Sequence, residues 1–451
     1  MNIRHAALGA ALGLGVTGWA SAATLQEVVA GNIEHNPQVQ EALHNYAAVL
    51  QEIRQARAGY YPTLDATLGY GYEWTDKENG IQDEELNRRE ARLNLNQMIF
   101  DGFATSSEVK RQRARAASRA SALKDQAQRY VLDASRAYLE ILRREQLLSL
   151  AKESLYNHVK IYDQIKRRSE SGMGTLAAIQ QAEGRLALSE VNMLAAENNL
   201  RDARATYLRV VGQPVPDEVE SFDSSGLMLP ETLEAAVEKG LAKQPVAALA
   251  QADVEAAMAQ RDAAKSRMYP RLDLEVERRW DENIDGVEGD DEDLTAMLRL
   301  RYNLFNGGAD KARIRQTEYQ IGEAQAIEHD AQRQIRESVE LSWNAHEILQ
   351  RQLAHLQRHV VSSEDTRNSY KKQFDIGQRS LLDLLDTENE VFAAKNQLAD
   401  ARIDAEIAKL RILTGTGELL EAMQVTLPEI EEPETAEPMV ADSGDLSASG
   451  Q

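Results

Sequence analysis

The chain has 451 residues, no cysteine and a formal net charge of −22 at pH 7. The lack of cysteine excludes disulfides and thiolate metal sites. The acidic balance argues against nucleic acid as a partner, because phosphates favour surfaces rich in Lys and Arg.

The N-terminal segment has the pattern of a cleaved secretory signal. Arg4 lies in a short polar start, Ala6 to Ala20 is small and apolar, and Ala20-Ser21-Ala22 fits an A-x-A cleavage site. We therefore predict a signal peptide over 1–22, an exported mature chain, and no acylated cysteine at its start. No later stretch approaches the ~20 apolar residues of a transmembrane helix, so entry into a membrane would require a β-barrel.

The mature chain is predicted to contain two copies of one structural plan. Short motifs recur at an offset of 205 to 208 residues: Asn36-Pro37 as Gln244-Pro245, Tyr61-Pro62-Thr63-Leu64-Asp65 as Tyr269-Pro270-Arg271-Leu272-Asp273, and Ile99-Phe100-Asp101-Gly102 as Leu304-Phe305-Asn306-Gly307. We predict a first repeat over 23–211, a linker over 212–229 and a second repeat over 230–427. The acidic tail 428–451 has little to bury and is predicted to be disordered.

Each repeat is predicted to read helix, strand, loop, strand, very long helix, break, helix. No proline occurs from Thr63 to Gln213, and the run from about Gly102 to Arg168 would form a helix of ~100 Å. Gly172 and Gly174 end it, and a second helix is expected from about Leu176 to Val211. That helix has a heptad seam, repeated in the second copy, of mostly large residues at one position and mostly small ones at the other. The large-position residues are Ile179, Leu186, Met193, Leu200 and Tyr207, then Leu384, Val391, Leu398, Ala405 and Ile412.

Four segments alternate apolar and polar residues with a period of two, which predicts strands of about ten residues. The apolar sets are Leu64 to Trp74; Leu93, Leu95 and Ile99; Leu272, Leu274, Val276 and Trp280; and Leu294 to Leu304. Charges on the other face suit an aqueous lumen. Four strands are too few to close a barrel, and open sheet edges are not tolerated in lipid. Several chains must therefore contribute strands to one barrel.

The duplicated plan resembles the TolC family over roughly Thr24 to Met423. The Tyr-Pro strand entry, Gln97-Met98-Ile99-Phe100-Asp101-Gly102 and the run from Ile376 to Asp386 carry the likeness. The resemblance implies an α+β membrane protein: a homotrimer whose twelve strands form an outer-membrane β-barrel continuous with a coiled-coil barrel of long helices in the periplasm. It also implies a periplasmic adaptor protein and an inner-membrane ABC transporter, or a proton-driven pump, as partners.

Within that family, the chain looks most like channels of type I secretion, especially exporters of large adhesins. The alternatives are a multidrug or small-molecule efflux duct and, more remotely, a periplasmic coiled-coil scaffold. We find no nucleophile motif, phosphate loop or dinucleotide fingerprint, so we expect neither enzymatic activity nor a cofactor.

The resemblance assigns a periplasmic gate to Asp383 and Asp386, with Arg379 helping to hold the closed arrangement. The two aspartates are three residues apart, so on a helix they share a face, and three copies would place six carboxylates around a narrow mouth. Phe374 stands where related gates have Tyr, so any hydrogen bond from a tyrosine hydroxyl at this position is absent. The first copy has Ala177 and Ala178 where a polar pair is expected.

Two segments have the residue spacing of metal ligands, but for each we favour an interpretation without a metal ion. Asp281, Asn283, Asp285, Gly286 and Glu292 match the spacing of a calcium loop, but an acidic segment matches by chance, and we favour a solvated extracellular loop. His355 and His359 have metal-ligand spacing without a third ligand, and we favour a surface helix.

Overall fold

The computed structural model describes residues 24–75, 84–172, 174–216, 218–222 and 224–427. The predicted signal peptide over 1–22 and the predicted tail over 428–451 lie outside the described residues. The elements in chain order are α1 (Leu25–Asn32), α2 (Pro37–Ala58), β1 (Thr63–Thr75), β2 (Glu84–Phe100), α3 (Ala104–Glu170), α4 (Leu176–Val211), α5 (Leu233–Lys243), α6 (Pro245–Lys265), β3 (Arg271–Ile284), β4 (Val287–Arg301), α7 (Ala309–Asp375), α8 (Leu381–Thr416) and α9 (Leu419–Ala422).

The four strands form one antiparallel sheet in the order β1-β2-β3-β4. The register aligns apolar residues into rows that cross all four strands, one of which is Leu64, Leu95, Val276 and Ala296. The neighbouring row is polar and consists of Asp65, Asn94, Glu277 and Thr295. The predicted alternation is therefore confirmed, and we call the two sides the apolar face and the polar face.

The strands depart from the prediction at their ends. β2 begins at Glu84, eight residues before Arg92, and β4 ends at Arg301, so Tyr302 and Leu304 follow the strand. A bulge between Met98 and Phe100 pairs Phe100 with Leu272. Phe100 thus takes the position on the apolar face that we predicted for Ile99, because a bulge reverses the alternation after it.

Two helices of 67 residues each, α3 and α7, run from the sheet to the far end of the molecule. At ~1.5 Å per residue each is ~100 Å long, as predicted. In the half near the sheet α6 lies between them, and in the other half α8 lies between them. Among the helices of the described residues, none has the length together with the apolar character that spanning a membrane requires.

The two copies of the heptad seam differ in burial. Every seam residue of α8 is buried, from Leu384 to Ile412, whereas Ile179, Leu186 and Met193 of α4 stay half-buried. The difference arises because α8 packs against both α3 and α7, while α4 packs mainly against α3. The predicted seam is confirmed, and α4 keeps an apolar edge that its own chain does not cover.

The largest apolar core lies around the middle of α3. There α1, the end of α4 and α9 pack on buried residues between Leu123 and Ile141. The hydroxyl of Tyr138 donates a hydrogen bond of 2.8 Å to the carbonyl of Glu220, which fixes the segment between α4 and α5 to α3. This core packs around the middle of α3, between the sheet and the turns described next.

Candidate functional site

The predicted gate residues lie where α7 turns back into α8. Gly377 has φ +78°, a conformation that glycine adopts without strain, and it ends α7. The Ser380 hydroxyl then caps α8 by accepting a hydrogen bond of 3.1 Å from the Asp383 amide. In the first copy Thr175 caps α4 in the same way, accepting from the Ala178 amide at 3.2 Å. The duplication therefore places two similar helical turns in each chain.

Phe374 is buried and joins the two helical hairpins. Its ring packs in an apolar cluster with residues of three other helices, namely Ile161, Ile165, Ala182, Leu381, Leu384 and Leu385. The Arg168 guanidinium lies 4.6 Å from the ring centroid and donates a hydrogen bond of 3.0 Å to the Asp375 carbonyl. Within a single chain, Phe374 thus packs the end of α7 against its neighbouring helices. Its contact with Arg168 does not follow from the sequence.

Arg379 connects the end of α7 with the start of α8. Its guanidinium stacks 3.9 Å above the centroid of the Tyr370 ring and donates a hydrogen bond of 3.1 Å to Gln373 Oε1. One guanidinium nitrogen lies 3.7 Å from Asp383 Oδ2. An arginine held by an aromatic face and a carboxylate has few rotamers, so Arg379 fixes the geometry of this turn.

Asp386 connects the two hairpins of one chain. Its carboxylate accepts a hydrogen bond of 2.9 Å from Arg185, which lies on α4. The Asp386 side chain keeps 57% of its surface exposed and the Asp383 side chain keeps 41%. The two aspartates are therefore accessible and pair with different arginines, one within its own turn and one across to the first copy.

Arg185 supplies the polar contact from the first copy that Ala177 and Ala178 cannot make. It lies about two helical turns beyond these alanines, on the helix that they begin. The sequence does not reveal this pairing, because Arg185 and Asp386 are 201 residues apart and meet only after the helices pack. The charge constellation of one chain thus comprises Arg185, Arg379, Asp383 and Asp386.

A second set of polar contacts lies one to three turns further along α8. Glu388 is buried and pairs with Arg367 of α7 at 3.2 Å and with Asn157 of α3 at 3.3 Å. Lys395 lies 3.0 Å from Glu153 of α3 and 3.0 Å from Glu364 of α7. Partial burial disfavours the charge of Lys395, but the hydrogen bonds to the two glutamates outweigh it, so the pKa of Lys395 is raised. These contacts anchor α8 between the two long helices.

The acidic segment from Asp281 to Asp293 is a β-hairpin and not an extended loop. Asp281 lies opposite Asp291, and Trp280 lies opposite Glu292. Asp281 and Glu292 therefore point to opposite faces of the sheet and cannot converge on one calcium ion. Within the described part of the chain, no group of three or more metal-binding side chains is assembled. His355 and His359 are exposed on α7, as predicted.

A family model decides the identity of this architecture. The model described as outer membrane efflux protein matches residues 31–213 and 237–418, which together hold both hairpins of strands and both pairs of long helices. The chain belongs to the outer membrane efflux protein family.

Curated outer membrane efflux proteins and related channels align with most of the chain. The chain is 25% identical over 328 residues to outer membrane efflux protein BepC of Brucella suis biovar 1, covering 72% of each chain. It is 24% identical to outer membrane protein TolC of Escherichia coli strain K12, over 91% of this chain and 86% of that protein. It is 23% identical to alkaline protease secretion protein AprF of Pseudomonas aeruginosa, over 86% of this chain and 83% of that protein.

Solved structures share the fold at lower identity. A crystal structure of CusC superposes with a TM-score of 0.79 at 17% identity and covers 87% of this chain and 92% of that one. The CmeC outer membrane channel of Campylobacter jejuni gives a TM-score of 0.79 at 13% identity, covering 93% and 94%.

Family membership places this efflux protein in the outer membrane, with its long helices extending into the periplasm. It is a transport protein, the channel component of a tripartite efflux or secretion system, and has no enzymatic role. The alternative of a periplasmic coiled-coil scaffold is therefore wrong.

Proposed function

We propose that three copies of the chain form one continuous duct through the outer membrane and the periplasm. The supporting observation is a four-stranded sheet with an exposed apolar face, a charged polar face and two unpaired edges, β1 and β4. Unpaired backbone groups are not tolerated in lipid, and three such sheets joined edge to edge satisfy all of them with twelve strands. The polar face then lines an aqueous passage, and the uncovered edge of α4 meets a neighbouring chain.

The cargo we propose is a large secreted protein such as an adhesin, delivered by an inner-membrane ABC transporter through a periplasmic adaptor. The similarity to AprF, which is named an alkaline protease secretion protein, supports this assignment, as do the Tyr-Pro strand entries. The second candidate is a small-molecule efflux duct served by a proton-driven pump. The similarity to BepC, which is named an efflux protein, favours that candidate.

We propose that Asp383 and Asp386 narrow the periplasmic mouth of the duct and that Arg379 stabilises its closed state. The two carboxylates lie beside the α7–α8 turn, at the end of the molecule farthest from the sheet, and both are partly exposed. Arg185 joins this set, because its ion pair with Asp386 holds the two hairpins of a chain together. Phe374 supports the site from within the apolar cluster.

The assembly proposal makes a direct prediction about oligomeric state. Because each sheet has two open edges, we expect a trimer that persists in mild detergent. Size-exclusion chromatography with light scattering measures the protein mass in the complex. A monodisperse monomer, or recovery of the whole protein in the soluble periplasmic fraction, would contradict the proposed duct.

The cargo proposal predicts which inner-membrane transporter copurifies with the adaptor that binds at the helical turns. Leu176 is an apolar residue with 70% of its surface exposed at the first turn, and a photo-crosslinking amino acid placed there should capture the adaptor and copurify an ABC transporter. The same amino acid at Glu238, exposed on α5, is the matched control. Mass spectrometry identifies the captured proteins. Recovery of a proton-driven pump would instead establish the small-molecule alternative.

A further inference from the structure

The hairpin of β3 and β4 ends in a tight turn with an unusual bend just before it. Asp285 and Gly286 have φ values of +55° and +69° and separate the paired residues Ile284 and Val287. Two such residues form the turn type that suits a two-residue hairpin. The register shifts at Asn283, which also has a positive φ of +59°. A bulge at this point bends the strand pair.

Asn283 holds this bend with both ends of its side chain. Its amide nitrogen donates a hydrogen bond of 3.1 Å to the carbonyl of Asn87 on β2. Its amide oxygen accepts a hydrogen bond of 3.1 Å from the Gly289 amide on β4. The bend is therefore fixed to the neighbouring strand and to the partner strand of the hairpin, which gives the tip a defined direction.

The tip reaches across β2 to contact β1. The Gly286 amide donates a hydrogen bond of 2.8 Å to Glu73 Oε1, although β2 separates the two strands in the sheet. Arg88 reinforces the contact, because one guanidinium nitrogen lies 2.8 Å from Glu73 and 3.4 Å from Asp285. Arg88 also pairs with Glu90. Three acidic side chains thus converge on one arginine under the tip.

These contacts lie on the polar face of the sheet. Arg88 is paired with Gly71 in the register, and Glu73 is two residues further along β1, so both point to the same side as Asp65. A Cβ atom added at Gly71 would meet nothing within 4 Å, which leaves open space beneath the tip. The hairpin tip therefore folds over the side of the sheet that faces the passage.

We propose that the tip of the β3–β4 hairpin is a strap that narrows the extracellular mouth of the duct. The tip lies at the end of the strands opposite to the starts of α3 and α7, and so at the opposite end from the periplasmic gate. The narrowing rests on the proposed trimer, in which three straps point inward. Ion pairs between partly exposed groups are individually weak, so the strap opens when cargo reaches it.

Crosslinking tests the position of the strap within one chain. The protein has no cysteine, so Glu73→Cys with Asp285→Cys gives a defined pair for a short bifunctional maleimide. We expect rapid intrachain crosslinking in lipid, detected by proteolysis and mass spectrometry. Thr67→Cys with Asp285→Cys is the control, since Thr67 lies ~20 Å further along β1. Equal rates for the two pairs would overturn the proposed position, whatever the oligomeric state.

Conductance tests whether the strap narrows the passage. Arg88→Gln removes the cation that joins the tip to β1, and we expect a higher single-channel conductance in planar bilayers. Arg89→Gln is the matched control, because Arg89 is adjacent but points to the apolar face and pairs with Glu282 at 2.9 Å. Both are measured in the wild type and with Asp383→Ala and Asp386→Ala present. If the Arg88 variant has the same conductance as the Arg89 variant in both backgrounds, the proposed strap is wrong. If Asp383→Ala with Asp386→Ala alone leaves the conductance unchanged, that result contradicts the proposed gate and not the strap.

Discussion

Replacing Asp383 and Asp386 by alanine is expected to reduce the preference of the duct for cations strongly. In the proposed trimer the change removes six carboxylates and leaves Arg379 and Arg185 of each chain without their aspartate partners. The local field at a narrow mouth determines which ions enter. We expect the ratio of potassium to chloride permeability to fall about tenfold, a size that corresponds to about 1.4 kcal/mol.

Reversal potentials in planar bilayers under a salt gradient measure this ratio. Glu234→Ala with Glu238→Ala is the matched control, since it removes two exposed carboxylates per chain from α5, away from the turns. Arg379→Ser should raise the conductance instead, because it releases the contacts with Tyr370, Gln373 and Asp383. Unchanged selectivity in the aspartate variant and unchanged conductance in the arginine variant would place the constriction elsewhere.

Gly102→Ala is expected to prevent stable assembly of the duct. Gly102 has φ +68°, and an added Cβ would collide with the Ser266 carbonyl oxygen and lie 2.7 Å from Tyr269 Cβ. These atoms precede β3, so the collision separates the start of α3 from the second strand hairpin. Backbone strain and the clash together should cost about 3 kcal/mol or more.

The duplication provides a matched control for this variant. Gly307 occupies the corresponding place in the second copy with φ +71°, but within one chain a Cβ there meets nothing within 4 Å. Within one chain, Gly307→Ala should therefore cost about 1 kcal/mol from backbone strain alone. The yield of the protein in outer-membrane fractions and the temperature at which the trimer dissociates compare the two. Similar behaviour of both variants would contradict the close approach at Gly102.

The helices and most of the strand pattern follow from local signals in the sequence. Glycines after the long helices and a threonine or serine cap before the next ones define α4 and α8. The first half of β2 cannot be predicted from alternation, because most residues from Glu84 to Ala91 are polar and the period of two is absent there. A similar limit hid the acidic hairpin, whose turn at Asp285-Gly286 lies among charges.

The candidate site was predictable as far as its contacts are local. The pairing of Arg379 with Asp383 is local, because Arg379 lies in the turn just before α8 and Asp383 lies in the first turn of that helix. By contrast, the contacts of Asp386 with Arg185 and of Phe374 with Arg168 join residues more than 200 positions apart. Such pairs depend on how α4 and α3 rotate against α8 and α7, which heptad spacing alone does not determine.

The unbroken length of α3 and α7 has an elastic consequence. Bending a rod of ~100 Å so that its end moves sideways by ~10 Å requires a radius of curvature of ~500 Å, whereas helices in globular proteins already curve with radii of about 60–100 Å. Backbone stiffness therefore offers little resistance to spreading of the helical turns. Contacts between the hairpins must then supply most of that resistance: the apolar cluster around Phe374 and ion pairs such as Arg185 with Asp386, which is partly exposed and worth about 0–1 kcal/mol. A docking partner that replaces some of these contacts can hold the duct open.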